Sequence, residues 1–243
     1  MCYHYSLIGT NKQIEERYKA TFEIIDEFSP VYHTSGFVFG KMPVILNNDS
    51  DHIKLLNWGL LPSWNKDKGK AFAARANTLN ARSETIYEKP SFKDSAKNKR
   101  CLIPATGFFE WMDLNKVKYP HLISLKDQEI FSFGGLWQST SIINENGEKE
   151  LYETFSIITT DANTLMEKIH NLKKRMPLIL PKEVERKWLN DKLTKEEVEG
   201  MLLPYPEEKM QAHTISKLIT SRTESPNVAQ VLEKFDYPEL LNV

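Results

Sequence analysis

The second residue of the chain is a cysteine, and its position offers chemistry that no internal cysteine has. Aminopeptidases generally remove an initiator methionine when the next residue is small, which would leave Cys2 carrying a free α-amine and a thiol. Their reference pKa values, ~7.7–8.0 and ~8.5, leave both groups partly nucleophilic near neutrality. A 1,2-aminothiol condenses with an aldehyde to an imine, and the sulfur then closes a five-membered thiazolidine ring. The plainer alternative is an ordinary residue near a frayed terminus.

Other segments hold groups that such chemistry could use. Glu110 stands in the apolar, aromatic run Gly107-Phe108-Phe109-Glu110-Trp111. It either faces solvent by strand alternation or sits in a dry site, where its pKa rises and it can shuttle protons. His170 lies at a helix end ahead of Lys173-Lys174-Arg175-Met176-Pro177, and reads alternatively as a plain surface or core histidine. Asn80-Ala81-Arg82-Ser83-Glu84-Thr85 is polar and also reads as a helix start. Trp58-Gly59-Leu60-Leu61-Pro62-Ser63-Trp64 is rich in aromatics, and a core strand followed by a turn would account for it equally well.

The elements that must position these residues mix without a βαβ rhythm. Residues 3–8 read as a strand. Ile14, Tyr18, Phe22 and Ile25 fall on one face of a helix spanning Asn11 to Asp26. Strands are expected over Phe37–Leu46, with Pro43 at an edge or break, and over Ile53–Leu60. Pro62 to Lys70 reads as a polar loop. From Cys101 to Thr160 the pattern is β-rich, with a polar turn at Asn144-Glu145-Asn146-Gly147. Asp161 is expected to cap a helix over Ala162–His170, followed by a short strand at Met176–Leu180. Helices follow around Lys182–Asn190 and Thr194–Met201, the latter capped by Thr194 with Glu197 three residues on.

The bulk composition bounds the function. With 243 residues, 40% hydrophobic and 27% charged, the chain suits one soluble domain with a substantial core. No apolar run approaches the ~20 residues needed to cross a bilayer, and no signal peptide is evident, so a cytoplasmic protein without membrane contact is expected. Two cysteines, Cys2 and Cys101, are too few for a disulfide framework or a cysteine-rich zinc site. Neither a metal nor a cofactor is expected. A net charge of −1 argues against broad electrostatic binding of nucleic acid, but not against a local basic groove. Lysines and arginines cluster at Lys93–Arg100 and Lys168–Arg175.

In order and spacing, Met1-Cys2, WGLLPSW, NARSET, RCLIPATGFFEW, a histidine near RMP, and the late Ile215-Ser216-Lys217 with Pro226 resemble the SRAP (SOS-response-associated peptidase) family. The resemblance runs over about residues 1–232. It implies an α+β fold: one domain over 1–243, with a curved, mostly antiparallel sheet forming a pseudo-barrel with flanking helices. It implies a protein that recognises abasic sites in single-stranded DNA. Cys2 would trap the open sugar aldehyde as a covalent thiazolidine, protecting the lesion during the DNA damage response. Asn80 would orient the Cys2 amine or the sugar, Glu110 would act as general acid and base, and His170 would sit near the sugar hydroxyl. Arg82 and Arg175 would hold phosphates, and Pro62 and Trp64 would wedge against or stack on bases beside the lesion.

Two departures from the family pattern stand out. Members usually begin Met-Cys-Gly-Arg, whereas Tyr3-His4 follow the cysteine here, so a histidine takes the place of a phosphate-binding arginine. His170 and Arg175 are also separated by Asn171-Leu172-Lys173-Lys174, a longer spacer than in shorter members, and His170 reaches the site if those residues bulge outward. Two other functions fit the same residues: an N-terminal-cysteine peptidase or amidase acting on itself, or a non-covalent single-strand binder without catalysis. Lyase-type activity would accompany the first reading. A monomer, associated with the nucleoid when bound to DNA, is the default expectation.

Overall fold

The computed structural model describes residues 2–24, 28–127, 129–144 and 146–240. Its strands are β1 (His4–Leu7), β2 (Thr21–Phe22), β3 (Val31–Ser35), β4 (Lys41–Leu46), β5 (Asp49–Trp58), β6 (Asn80–Arg82) and β7 (Arg100–Ala105). They continue as β8 (Gly107–Leu114), β9 (Val117–Leu125), β10 (Phe131–Ile143), β11 (Lys149–Asp161), β12 (Arg175–Pro177), β13 (Ile179–Leu180) and β14 (Met210–Thr214). Short helices flank them: α1 (Asn11–Tyr18), α2 (Lys68–Ala74), α3 (Lys93–Asn98), α4 (Thr164–Ile169), α5 (Lys182–Trp188) and α6 (Lys195–Glu199).

Five strands close on themselves. β5, β4, β7, β10 and β11 pair antiparallel in that order. β11 then returns to β5 through parallel pairs Thr154↔Asn57 and Phe155↔Trp58. This is the expected α+β pseudo-barrel, and closure removes the free edges an open sheet would carry. Tyr5, Trp58, Phe108, Phe133 and Phe155 form its aromatic centre, with Trp58 stacked on Phe155 at 6.0 Å and Tyr5 edge-on to Trp58 at 5.2 Å. Pro43 is tolerated because β4 pairs with β7 only from Ile45 onward, so the proline lies in a locally one-sided stretch.

A second sheet runs β14-β9-β8-β1-β3, all antiparallel. One of its faces, with Tyr5, Phe108 and Ile123, joins the main core. The other, with Phe109 and Leu122, is covered by Ile215, Ile219 and Val231 from the C-terminal segment. β1 thus lies inside a sheet between β8 and β3.

Three local expectations are corrected. The first helix stops at Tyr18, because Lys19 turns left-handed (φ 54°) and Thr21 and Phe22 pair with His52 and Ile53 of β5 instead; Ile25 and Asp26 lie outside the described residues. Phe37–Leu46 is not one strand. Gly36–Val38 forms a 3-10 turn, Phe39 adopts φ 53°, and the Arg75 guanidinium sits 4.5 Å over the Phe39 ring. Asp161 ends β11, and the cap of α4 is Asn163, whose side chain accepts the Met166 N–H. Thr194 and Glu197 do form the expected capping box. No helix among the described residues is long and apolar enough to cross a membrane.

Gly135 is where β10 passes closest to its neighbours. A Cβ there would meet the Ser156 carbonyl oxygen at 2.8 Å as well as the Ile103 side chain. Because both neighbours belong to the closed barrel, Gly135→Ala should destabilise the protein by roughly 1–3 kcal/mol. The urea midpoint should fall at constant m, and an unchanged midpoint would contradict this packing.

Candidate active site

Four segments distant in sequence converge beside β1. Cys2 is fully buried immediately before it. The Asn80 side-chain amide, on β6, donates to the Cys2 carbonyl at 2.9 Å. β6 is placed by parallel pairing with β11, where Asn80 faces Ile157. The other amide atom, Asn80 Oδ1, is buried and has no hydrogen-bond partner among the described residues. It is therefore an acceptor within the site, suited to an amine on Cys2. The Cys2 thiol donates to the His4 carbonyl at 3.7 Å.

Glu110 is buried on β8, so of the two readings left open by its sequence the dry site is the one observed. Burial raises its pKa to about 7. His170 follows the last residue of α4, and its Nδ1 lies 2.8 Å from the Arg175 carbonyl oxygen. The Arg175 backbone N also lies 3.2 Å from Nδ1, so the tautomer follows from which of the two Nδ1 bonds, and Nε2 faces Glu110 Oε2 at 3.8 Å. That separation is too long for a direct hydrogen bond but keeps both groups within reach of one bound group beside them. Burial lowers the His170 pKa to about 4, so the imidazole is neutral at pH 7 and the contact is not an ion pair. Burial, with the Glu110 charge adding to it, pushes the Cys2 thiol far above its usual range. The partly ionised thiol expected from reference values is thus replaced by a protonated one that needs a base.

The Glu110 and His170 side chains line a cleft of about 750 Å³, together with Tyr3 and His4. His4 Nδ1 lies 2.8 Å from His33 Nε2, the two rings stack, and Trp111 meets His4 edge-on at 5.0 Å. Burial lowers the pKa of both histidines to about 4, so position 4 carries no charge at pH 7. The positive charge of the cleft comes from Lys116, Lys118, Lys173 and Lys217, which sequence reasoning did not single out as site residues. Only Lys173 belonged to a basic cluster visible in the sequence.

The expected DNA contacts are dispersed. Arg82 is exposed at the end of β6. Trp64 is 57% exposed and donates its indole N–H to the Pro90 carbonyl. Pro62, expected to wedge against a base, is buried instead, because the preceding backbone is drawn in by the Leu61 N–H bond to Thr154 Oγ1 and the Thr140 hydroxyl bond to the Leu61 carbonyl. The Arg175 guanidinium, expected to hold phosphate, is buried in a bidentate pair with Glu84 at 2.9 and 2.8 Å, with Asp161 at 2.8 Å and the Thr159 carbonyl also accepting. Arg175 serves the site through its backbone, which holds His170.

The Glu110 environment makes a pH-dependent prediction. Its folded pKa lies above the unfolded value, so the folded state holds the proton more tightly and stability is lost as pH rises from about 4.5 to about 7. At full expression this amounts to roughly 3 kcal/mol. Glu110→Gln should flatten that part of the stability–pH curve in urea titrations and be relatively more stable than the parent at pH 8. Parallel curves for the two proteins would contradict the dry-site reading.

The model of the family described as SOS response associated peptidase (SRAP) matches residues 1–222. The chain is 38% identical over 238 residues to the abasic site processing protein YoqW of Bacillus subtilis, covering 95% of this chain and 99% of that protein. It is 31% identical to the abasic site processing protein HMCES of Xenopus tropicalis, over 83% of this chain and 66% of that one. A crystal structure of a Bacteroides thetaiotaomicron protein superposes with a TM-score of 0.90 at 38% identity, covering 96% of this chain and all of the other. On its motifs, its fold and these matches, the chain belongs to the SRAP family.

Proposed function

We propose that this protein captures abasic sites in single-stranded DNA as a covalent thiazolidine on Cys2, after the preceding methionine has been removed. The observation that carries this reading is the buried Cys2, held by Asn80 and within electrostatic reach of Glu110, beside a lysine-lined cleft onto which Glu110 and His170 open. Its membership of a family whose relatives are named abasic site processing proteins supports it.

The chemistry follows from the protonation states. The freed Cys2 amine, held by Asn80 Oδ1, adds to the C1′ aldehyde of the ring-opened sugar and forms a carbinolamine. Glu110, with a pKa of about 7, donates a proton to the departing hydroxyl, releasing water and leaving an iminium. The Glu110 carboxylate then takes the thiol proton as the sulfur bonds to the same carbon, closing the ring. One water is lost overall and no redox change occurs. Neutral His170 accepts and returns the sugar hydroxyl proton during ring opening, and in the reverse direction its Nε2 is placed to help reopen the adduct. Arg82 and Trp64, both exposed, supply a phosphate contact and a stacking surface beside the lesion.

Mixing the protein with single-stranded DNA containing one abasic site should give an adduct that survives denaturing electrophoresis. Cys2→Ala should lose it, while borohydride should still trap an imine through the remaining α-amine. Equal untreated adduct in Cys2→Ala would exclude the thiazolidine. Intact mass should show the adduct as the sum of both partners less one water, and a residue left on the Cys2 nitrogen should block it.

A further inference from the structure

The cleft cations are not scattered surface lysines, because the two segments that bear three of them are both held at Asp113, one by its carboxylate and the other by its backbone. Asp113 on β8 accepts the Lys116 N–H through Oδ1 at 3.1 Å and pairs with Lys118 through Oδ2 at 3.2 Å. Its own backbone N–H and carbonyl are both held by the Asn171 side chain, at 3.0 and 2.7 Å. The spacer Asn171–Lys174 therefore bulges outward and is fixed at its first residue. Lys174 turns left-handed (φ 49°) and donates its N–H to the His170 carbonyl at 2.8 Å, which returns the chain to β12. Between those anchors, Lys173 and exposed Leu172 project along the cleft.

The facing hairpin is equally specific. Asn115 and Lys116 take φ of 53° and 67° in the two-residue turn between β8 and β9. Glycine is the favoured residue at the second of these positions, so a lysine there is retained against backbone preference. Lys217, from the C-terminal segment, completes the row and lies 6.0 Å over the Tyr119 ring. With His4 uncharged, these lysines are the positive groups nearest Glu110 and His170 along the cleft lining.

We propose that Lys116, Lys173 and Lys217 form a phosphate clamp that takes backbone phosphodiesters of the single strand adjoining the captured sugar, with Lys118 engaged by Asp113 and the four-residue spacer serving to bring Lys173 into the row. This rests on the function proposed above, but its test is separable. Affinity for an intact single strand, which cannot react, should fall with rising salt. In Lys173→Gln/Lys217→Gln the slope of log K against log salt should be shallower by about 1.4, at ~0.7 per lost phosphate contact. Lys192→Gln, which removes an exposed lysine between α5 and α6, should leave the slope unchanged. Condensation of Cys2 with a small uncharged aldehyde, read as a mass gain less one water, should still occur in the double variant, showing that the reactive floor is assembled.

Lys116→Gly separates binding from folding, since it should raise the thermal midpoint by a few degrees, about the gain from relieving a left-handed non-glycine residue, while making the slope shallower by ~0.7. An unchanged salt slope in the double variant, or no measurable binding of the intact strand by the parent, would overturn the clamp. Loss of slope in the variants combined with no covalent capture by the parent would keep the clamp and remove the thiazolidine reading.

Discussion

The site depends on one placement: the segment carrying Cys2 runs into the interior of a sheet. Chain ends usually fray, and a reactive end at a frayed terminus would meet every aldehyde in solution with no control over geometry. Here β1 is hydrogen-bonded between β8 and β3, Tyr5 is packed among the barrel aromatics, and Gly36 donates its N–H to the Tyr3 carbonyl at 2.8 Å. Asn80 then fixes the Cys2 carbonyl from a third element. A flexible end becomes a rigid one, which is the condition for positioning to lower a barrier.

The same burial sets the protonation of everything nearby. Desolvation favours the neutral form of any titratable group, so it raises Glu110 and the Cys2 thiol and lowers His170. At neutral pH the Cys2 thiol and His170 are thus uncharged, and the Glu110 carboxyl, with a pKa of about 7, is poised to give or take a proton. Positive charge is carried by flexible side chains at the rim, where water still solvates it. Charge for recognition and neutrality for reaction are kept in separate layers.

Much of this was legible in the sequence, and the remainder was hidden for definite reasons. Cys2 stands out by its aminothiol chemistry and Glu110 as a carboxylate in an apolar run, whereas Asn80 and His170 are named through the resemblance to the family, since no single segment is specific. A curved, mostly antiparallel sheet could be expected from the mixed, β-rich pattern, and its closure into a pseudo-barrel from the resemblance to the family. The first helix was overextended because Phe22 and Ile25 continue the apolar spacing of Ile14 and Tyr18, while the left-handed turn at Lys19 has no strong sequence signature. Arg175 is given a phosphate role by the resemblance to the family; its acidic partner Glu84 lies 91 residues away, and only the fold brings them together. His33 went unnoticed for the same reason, being joined to His4 across the β1–β3 pair rather than by proximity in the chain. Long-range pairing, not local propensity, decides each of these cases.

The pairing of β1 also imposes a schedule on biosynthesis. Tyr5 and Ser6 cannot find their partners Phe108 and Gly107 until about a hundred further residues have left the ribosome. At roughly 5–20 residues per second, the leading segment stays undocked for on the order of 5–20 s. Once the sheet forms, Cys2 has no solvent-accessible surface. On the function proposed above, which needs the Cys2 amine freed, that interval is when the leading segment is open to an aminopeptidase, and slow trimming would leave molecules folded around an unprocessed end. Under that proposal, the share of protein competent for capture would be set by a race between trimming and strand docking.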